Sequence, residues 1–267
     1  MNPEKKRVVI WSPDYDRKSG WIRALHLLCH YLNKFGQPAV ITALYRNPEL
    51  NTPRFTGDLQ PDDVVVYPEI VRGNPLNAPA GTVFRYILAR RVQDDWGKDD
   101  RFLVFSKSFL GFSRRAMGAD LGIEHVLRLP IIETTIFNHN GITQDRTFVL
   151  SYKCQWPDSV EITDTWPGSW EELAALFKDA SFIATGDNCT AVIDEALMCG
   201  CPVLMLGEWK SEFFDHLDYD VKGAIVTRIS DIEGARHAAE LAYYNYISFI
   251  SREFPRQLER FIARVNE

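Results

Sequence analysis

A polar turn followed by an apolar helix is the stretch of this chain best suited to binding an anion. The sequence predicts a turn at Gly186, Asp187 and Asn188, and then a helix over residues 190–199. The first N–H groups of a helix lack backbone partners and carry a partial positive charge, so anions bind there. We therefore predict that Gly186, Asn188 and Thr190 contact a phosphate or sugar group.

A glutamate in the middle of the same predicted helix has mostly apolar neighbours. Glu195 follows Ile193 and Asp194 and precedes Ala196, and a carboxylate among apolar side chains needs a polar partner. Ribose hydroxyls are suitable partners, so we predict that Glu195 binds the ribose of a nucleotide. An N-cap role suits an aspartate at the position of Asp187, just before the predicted helix.

Two cations lie beside one predicted strand of the second half. Lys153 directly follows the strand over residues 147–152, and Arg146 directly precedes it. Ligand sites in doubly wound sheets lie beyond the carboxyl ends of the strands, so Lys153 is the better placed of the two. The simpler interpretation of Lys153 is an exposed lysine after a strand.

Charged side chains also follow predicted strands in the first half of the chain. Asp16 lies in the polar loop after the first strand, and Glu69 and Arg72 follow the third. By the same argument from strand ends, we predict that Asp16 and Glu69 are catalytic candidates on the acceptor side, together with Asp187. Gly20, just before the first helix, is predicted to approach the donor or acceptor. The structural alternatives are a solvated Asp16, a capping Glu69 and an Arg72 that pairs with Glu69.

Patterns typical of metal or disulfide sites are weak. The chain has five cysteines, an odd and scattered set that favours reduced thiols in a cytosolic protein. Cys199 and Cys201 are too close together to suggest a metal pair on their own. His26 and His30 have a spacing of four that could hold a metal, but the intervening glutamate of the His-Glu-x-x-His motif is missing. We therefore expect packing or capping roles for both histidines and no metal site.

Composition limits the classes of partner. The 267 residues carry a net charge of −6, which argues against broad binding to a phosphate backbone. A local basic strip nevertheless keeps nucleic acid as a disfavoured partner. Its members are Arg85, Arg90, Arg91, Lys107, Arg114 and Arg115. The N-terminus has no long apolar segment, and no run approaches the roughly 18 apolar residues of a membrane span, so we expect a cytoplasmic protein with no membrane span and no signal peptide.

Two successive α/β halves position these candidates. Short apolar strands alternate with amphipathic helices, which predicts doubly wound parallel sheets. The predicted strands of the first half cover residues 8–11, 38–44, 63–67, 83–88 and 101–105. A turn-rich segment over 133–146 separates the halves, and the pattern then restarts with the strand over 147–152. The chain is thus long enough for two small Rossmann-like domains.

The helical spacing of Ile22, Leu25 and Leu32 predicts a helix over 21–35. Ser169 with Glu172 predicts a capping box at the start of a helix over 169–178. Pro255 is expected to divide a helix over 231–250 from the last helix.

Several short motifs resemble the retaining glycosyltransferases of the GT-B fold. Residues 130–137 are similar to the segment between the two domains of such enzymes, where an acidic residue and a threonine precede a phenylalanine. A second motif consists of Asp187, seven intervening residues, Glu195-Ala196, and then Cys-Gly-Cys-Pro-Val over residues 199–203. It resembles the family pattern of Glu, seven residues, Glu-Ala and then Gly-x-Pro-Val. Asp187 departs from that pattern, since the family has a glutamate there. The stretches 19–26 and 67–76 look like those of bacterial and phage glycosyltransferases of surface polysaccharides.

The resemblance implies a fold, a reaction and a set of roles. It implies two Rossmann-like domains facing a cleft, over residues 1–140 and 141–250, with a helix over 251–267 that packs back on the first domain. It implies a metal-independent hexosyl- or pentosyltransferase that moves a sugar from a nucleotide sugar, with UDP-sugar preferred, to a glycan or other hydroxyl acceptor. In that family the position of Glu195 holds the ribose and the position of Asp187 faces the donor sugar. The family also has an arginine and a lysine that neutralise the diphosphate, and the resemblance implies Lys153 as the preferred phosphate ligand here and Arg146 as the second candidate. No cofactor is expected besides this co-substrate.

Two alternatives stay open at this stage, and the sequence does not determine the oligomeric state. The first alternative keeps the same chemistry but uses a modified base of phage DNA as the acceptor. The second is a nucleotide-binding module without transfer activity.

Overall fold

The computed structural model divides into two compact units, Met1–Ile131 with Arg252–Glu267, and Ile132–Ser251. Each unit contains one five-stranded parallel sheet. The predicted α/β fold with two Rossmann-like parallel sheets is therefore confirmed. The structure describes residues 5–89, 95–111, 121–143, 146–188, 190–207 and 218–267.

The first unit is a sheet whose strands are apolar and buried on both faces, as parallel strands usually are. The strand order is β2-β1-β3-β4-β5. A 15-residue helix, α1, joins β1 to β2, and short 3₁₀ turns at Lys107–Phe109 and Ile123–His125 follow β5. The elements are β1 (Val8–Ile10), α1 (Gly20–Lys34), β2 (Ala39–Ile41), β3 (Val64–Pro68), β4 (Val83–Ile87) and β5 (Arg101–Val104).

The C-terminal helix, Phe254–Asn266, belongs to the first unit and packs beside β4 and β5. The ring of Phe261 meets that of Phe84 edge-on at 5.3 Å. Gln257 is buried and accepts a hydrogen bond from the backbone N–H of Arg128 at 2.8 Å. A π-helical turn over Phe249–Glu253 precedes this helix, so the expected break at Pro255 is instead a proline in the first turn of the helix.

The second unit repeats the strand order of the first. Its order is β10-β9-β8-β6-β7, so when strands are counted from the first in each unit, both sheets have the order 2-1-3-4-5. The predicted capping box at the start of α2 is confirmed, because Ser169 and Glu172 exchange hydrogen bonds between side chain and backbone. The elements are β6 (Phe148–Tyr152), β7 (Ser159–Ile162), α2 (Trp170–Asp179), β8 (Ala180–Thr185), α3 (Ala191–Met198), β9 (Val203–Met205), β10 (Ile225–Val226) and α4 (Ile232–Ser248).

One connection differs sharply between the two sheets. The crossover from β6 to β7 consists of residues 153–158 and contains no helix, whereas α1 fills the corresponding crossover of the first unit. Trp156 in this short connection packs edge-on against Phe182 of β8 at 5.8 Å. A single aromatic side chain therefore covers part of the surface that a helix covers in the first unit.

Within the described ranges, no helix combines the length and the apolar character that crossing a membrane requires.

Candidate functional site

The switch point of the second sheet brings two predicted site segments together. Strands β6 and β8 are hydrogen-bonded neighbours, and Tyr152 pairs with Thr185 at their carboxyl ends. From this point the chain leaves β6 toward one edge of the sheet and leaves β8 toward the other, which is where ligands bind in open α/β sheets. Lys153 and Gly186 are therefore adjacent, and a Cβ atom on Gly186 would lie 3.7 Å from the Lys153 carbonyl oxygen.

The two charged candidates at this point bind each other. The Nζ atom of Lys153 donates a hydrogen bond to Oδ2 of Asp187 at 2.9 Å, and the lysine side chain is 50% exposed. This hydrogen bond holds the pKa of Lys153 above its usual range. Lys153 has a φ of +51°, a conformation that costs free energy in a residue other than glycine and that is frequent at binding sites. The predicted phosphate ligand and the predicted sugar contact thus form one ion pair.

Thr190, and not Asp187, is the N-cap of α3. The Thr190 hydroxyl accepts a hydrogen bond from the backbone N–H of Val192 at 3.3 Å. The backbone N–H of Asp187 donates to the hydroxyl of Thr185 at 3.1 Å, which fixes the turn after β8. The alternative that Asp187 caps the helix is therefore wrong, because the chain enters the helix three residues later.

Asn188 lies between this turn and the helix. Its Nδ2 atom is buried and has no hydrogen-bond partner among the described residues. A buried amide donor without a partner is costly, and such groups in native structures usually mark a bound water, ion or ligand. The polar group at Asn188 therefore fits the predicted contact with a phosphate or sugar oxygen.

Two neighbouring carboxylates of α3 are buried. Glu195 is 4% exposed and Asp194 is 9% exposed. Asp194 accepts a hydrogen bond from the hydroxyl of Tyr219, whose ring meets that of Tyr246 edge-on at 5.0 Å. Asp194 is therefore part of the packing between α3 and α4. Glu195 stays the predicted ribose ligand.

Arg146 lies at the amino edge of the same sheet, away from Lys153. Its side chain is only 3% exposed and Nη1 donates to the carbonyl oxygen of Gly200 at 2.7 Å. Gly200 ends α3 with a φ of +68°, so Arg146 satisfies a carbonyl at the helix C-terminus. The alternative prediction that Arg146 binds the diphosphate is wrong, because the residue precedes β6 and binds the opposite end of α3.

Glu69 is tied to the backbone of the first unit. It is 2% exposed, and its two carboxylate oxygens accept hydrogen bonds from the N–H groups of Leu88 and Ala89, each at 2.9 Å. The side chain therefore joins the ends of β3 and β4, which fits the capping alternative. A catalytic role for Glu69 stays a prediction.

Asp16 and Gly20 lie in the loop that leads from β1 into α1. Oδ1 of Asp16, an exposed residue, accepts a hydrogen bond from the N–H of Lys18 at 2.9 Å. The carbonyl oxygen of Asp16 accepts from the N–H of Ser19, the residue before the helix. Gly20 is the first residue of α1. The structure thus brings these two predicted residues into one turn, and their roles stay predictions.

Arg85, the first residue of the predicted basic strip, does not lie on the surface. Arg85 is completely buried and forms an ion pair with Asp100 at 2.6 Å. It also donates to the carbonyl oxygens of Val71 and Gly73, and so it cannot contact a phosphate backbone. Lys107 is half-buried. The other members, Arg90, Arg91, Arg114 and Arg115, lie outside the described residues.

His26 and His30 each contact a different backbone group, and Cys199 and Cys201 are buried. Nε2 of His26 lies 3.2 Å from the carbonyl oxygen of Pro13, and Nδ1 of His30 accepts from the N–H of Asn51 at 2.9 Å, so the predicted packing and capping roles are confirmed. Burial raises the pKa of Cys199 and of Cys201 to about 12. In the part of the chain that the structure describes, no three His, Cys, Asp or Glu side chains are grouped to hold a metal ion.

The comparisons with known proteins give matches among solved structures. No protein-family model matches this chain, and no curated protein sequence matches it. Seventeen chains of solved structures are similar to it, and the following two are examples. The glycosyltransferase SnogD from Streptomyces nogalater is 10% identical, with 91% of this chain and 96% of that chain covered and a TM-score of 0.41. The glycotransferase of kitacinnamycin is 12% identical, with 99% and 94% covered and a TM-score of 0.44.

Three features of these sites were not predictable from the sequence. The left-handed conformation of Lys153 and the buried amide of Asn188 leave no trace in residue type or spacing. The third is the pair of hydrogen bonds that Asp14 of the first loop accepts from the N–H groups of Leu44 and Tyr45. Aspartate is a residue that often binds nearby backbone N–H groups, but its partners here lie 30 residues away and follow a different strand.

Proposed function

We propose that this chain is a glycosyltransferase that moves a sugar from a nucleotide diphosphate sugar to a hydroxyl acceptor. One observation carries the proposal: Lys153 and the turn over residues 186–188 lie side by side at the switch point of the second sheet. A cation, an unpartnered buried amide and a helix N-terminus follow these strand ends. Such a combination suits a diphosphate.

The proposed chemistry needs stabilisation of the leaving group. The acceptor oxygen bonds to the anomeric carbon while the bond from that carbon to the diphosphate oxygen breaks, and the acceptor hydroxyl loses its proton. Negative charge therefore develops on the diphosphate. Lys153 and the first N–H groups of α3 are fixed donors that would stabilise this charge.

The ion pair at the switch point supports a simple exchange of partners. A diphosphate would compete with Asp187 for the ammonium group of Lys153, since its charged oxygens accept charge-assisted hydrogen bonds as a carboxylate does. Asp187 would then be available to accept hydrogen bonds from hydroxyls of the donor sugar. Both predicted roles are thus compatible with the pair observed between them.

The remaining roles rest on the resemblance to GT-B glycosyltransferases. Glu195 is proposed to bind the ribose, and UDP is the preferred nucleotide. On the acceptor side, Asp16 is the better candidate for a general base, because it is exposed while both oxygens of Glu69 accept backbone hydrogen bonds. A glycan is the preferred acceptor.

A binding experiment with a matched control tests the donor site. Calorimetric titration with UDP, GDP and dTDP would be carried out on the wild type, Glu195→Gln and Asp194→Asn. The last variant alters a carboxylate of the same buried helix that binds Tyr219. We expect at least about tenfold weaker binding for Glu195→Gln, because one hydrogen bond to a charged group contributes about 1.5–3 kcal/mol. Asp194→Asn should lower stability and leave the affinity near the wild-type value.

Absence of binding in the wild type, or equal binding by Glu195→Gln, would contradict the donor-site assignment. Transfer itself is tested by incubating the protein with nucleotide sugars and measuring the released nucleoside diphosphate. Slow hydrolysis or transfer supports the enzyme. Nucleotide binding without any release across the panel would identify a binding module instead.

A further inference from the structure

Tyr152, the last residue of β6, lies directly before Lys153, the proposed phosphate ligand. Successive side chains of a strand point to opposite faces, so a regular continuation of β6 would direct these two side chains away from each other. Lys153 instead has a φ of +51°, and this angle sets the direction of a side chain relative to the preceding residue. The Nζ atom of Lys153 lies over the Tyr152 ring, 5.0 Å from its centroid. The left-handed conformation thus accompanies a contact between a cation and the ring of the residue before it.

The ring of Tyr152 is held by burial and by one hydrogen bond. The residue is only 7% exposed. Its hydroxyl donates to Oδ1 of Asp164 at 3.1 Å, and Asp164 lies two residues beyond the end of β7. Burial raises the pKa of Tyr152 above its ordinary 10, so the hydroxyl keeps its proton and stays a donor at neutral pH. The ring is therefore fixed at the carboxyl ends of two neighbouring strands.

Two unlike groups hold the ammonium group of Lys153. Oδ2 of Asp187 accepts a hydrogen bond from it at 2.9 Å, and the face of the Tyr152 ring attracts it as aromatic faces attract cations. A bound diphosphate competes with the carboxylate for hydrogen bonds from this ammonium group, but it does not compete with the ring. One contact is therefore exchanged when the ligand binds, and the other is compatible with the bound ligand.

We propose that Tyr152 is a positioning residue of the diphosphate site, which keeps the ammonium group of Lys153 at the switch point when a nucleoside diphosphate displaces Asp187. The proposal rests on the proposed glycosyltransferase function. A lysine side chain has a flexible four-carbon stem and loses entropy when a ligand orders it. A ring that already holds the ammonium group reduces this cost, and so it raises the affinity for the ligand. Tyr152 acts through Lys153 and touches no reacting atom.

Substitutions at Tyr152 separate the ring from its hydroxyl. UDP would be titrated calorimetrically into the wild type, Tyr152→Leu and Tyr152→Phe. The usual range of cation–π interactions predicts about 3- to 30-fold weaker binding of UDP by Tyr152→Leu. Tyr152→Phe keeps the ring, so its affinity should lie within about twofold of the wild type. Equal affinity in Tyr152→Leu and the wild type would overturn the proposal, and so would an equal loss in both variants.

Loss of a buried ring also lowers stability, so a control and a double variant accompany this titration. Phe177→Leu removes a fully buried ring of α2 in the same unit; it should lower stability and leave the UDP affinity unchanged. In a chain that carries Lys153→Met, Tyr152→Leu should cause no further loss of affinity, because the ring acts through the ammonium group. An undiminished further loss there, or an equal loss from Phe177→Leu, would overturn the proposal.

A measurement without nucleotide separates this inference from the proposed function. Asp187→Ala imitates the displacement of the carboxylate. Protons over an aromatic face give upfield-shifted NMR signals, so the Lys153 protons next to the ammonium group should keep this shift in Asp187→Ala and lose it when Tyr152→Leu is added. Loss of the shift in Asp187→Ala alone would overturn the positioning role.

The two experiments fail in different ways. A retained upfield shift in Asp187→Ala, with no binding of UDP, GDP or dTDP by the wild type, would support the positioning of Lys153 and contradict the proposed function. Nucleotide binding that Tyr152→Leu leaves unchanged would support the proposed function and overturn the positioning role.

Discussion

The two sheets of this protein have the same strand order but use their charged residues differently. In the first unit, Arg85 and Glu69 are buried and bind partners within the unit. In the second unit, Lys153 and Asp187 pair at the strand ends, where the lysine is half exposed. Burial makes an ion pair or hydrogen bond structurally essential, and exposure leaves it available for exchange with a ligand. The same topology therefore carries buried charges bound within the first unit and an accessible ion pair at the switch point of the second.

The connections after the first strand of each sheet show the same contrast. In the first unit this connection contains α1, whereas in the second it is only residues 153–158. The short connection begins with Lys153 in a left-handed conformation and ends with Asp158, whose φ is +52°. The connection that lacks a helix is thus also the one that holds a lysine at the switch point.

Removing the buried cation of the first unit should have the largest effect on stability. Arg85→Met leaves Asp100 and two backbone carbonyls without their partner. We expect the free energy of unfolding of this unit to fall by about 3–5 kcal/mol, the usual cost of breaking a buried pair. Urea denaturation monitored by circular dichroism measures this change. Arg72→Met, at an exposed position of the neighbouring loop, is the control and should change stability by less than about 0.5 kcal/mol. If Arg85→Met lowered the free energy of unfolding as little as Arg72→Met, the buried ion pair would not be essential to the first unit. The contrast with the accessible ion pair of the second unit would then fail.

The next effect concerns Glu69, for which two roles compete. Glu69→Gln places an amide N–H₂ against a backbone N–H donor, so stability should fall by about 1–3 kcal/mol. Urea denaturation is again the measurement, and Glu49→Gln is the control at an exposed position. If Glu69→Gln retained wild-type stability but lost turnover, Glu69 would act in catalysis rather than in stabilising the fold, contrary to this expectation.

The architecture was predictable from sequence because its signals are local. Apolar strands and the helical spacing of Ile22, Leu25 and Leu32 predicted the strands and α1 within a few residues. The repetition of α/β elements predicted two sheets. The capping box at Ser169 and Glu172 was also predicted, because both partners lie within one helical turn.

The site was predictable only in part. Residue type and position after a strand identified Lys153 and the turn after β8, and the sheet brings them together. The roles of Arg146 and Arg85 could not be predicted, because burial and the partners Gly200 and Asp100 are set by tertiary contacts. A sequence shows that a residue is charged but does not show whether its charge points inward.

Replacing the exposed cation of the second unit should affect binding far more than folding. Lys153→Met breaks an accessible ion pair, so stability should change by less than about 1 kcal/mol. Affinity for the nucleoside diphosphate should fall about 10- to 100-fold, because a charge-assisted hydrogen bond to phosphate is lost. Calorimetry measures the affinity, and Lys222→Met is the control at another exposed lysine of the same unit. Equal affinity in Lys153→Met and wild type would show that the switch point does not bind phosphate.

Mild acid should destabilise the first unit, by the smallest of these effects. Burial lowers the pKa of His26 below its ordinary 6.5, and burial together with Lys34 lowers that of His30. Among the charges near His26, Asp14 opposes this shift and Arg46 adds to it. The unfolded chain therefore binds more protons than the folded chain as the pH falls below about 6.5, and stability decreases.

A comparison of pH 7.5 with pH 5.5 isolates this effect, because most carboxylates titrate at lower pH. We expect His26→Gln to reduce the loss of thermal stability over this range. His237→Gln, at an exposed position of the second unit, should leave the loss unchanged. If His237→Gln reduced the acid-induced loss of stability more than His26→Gln, acid would act mainly on the second unit. The buried histidines of the first unit would then not be the groups that link folding to pH.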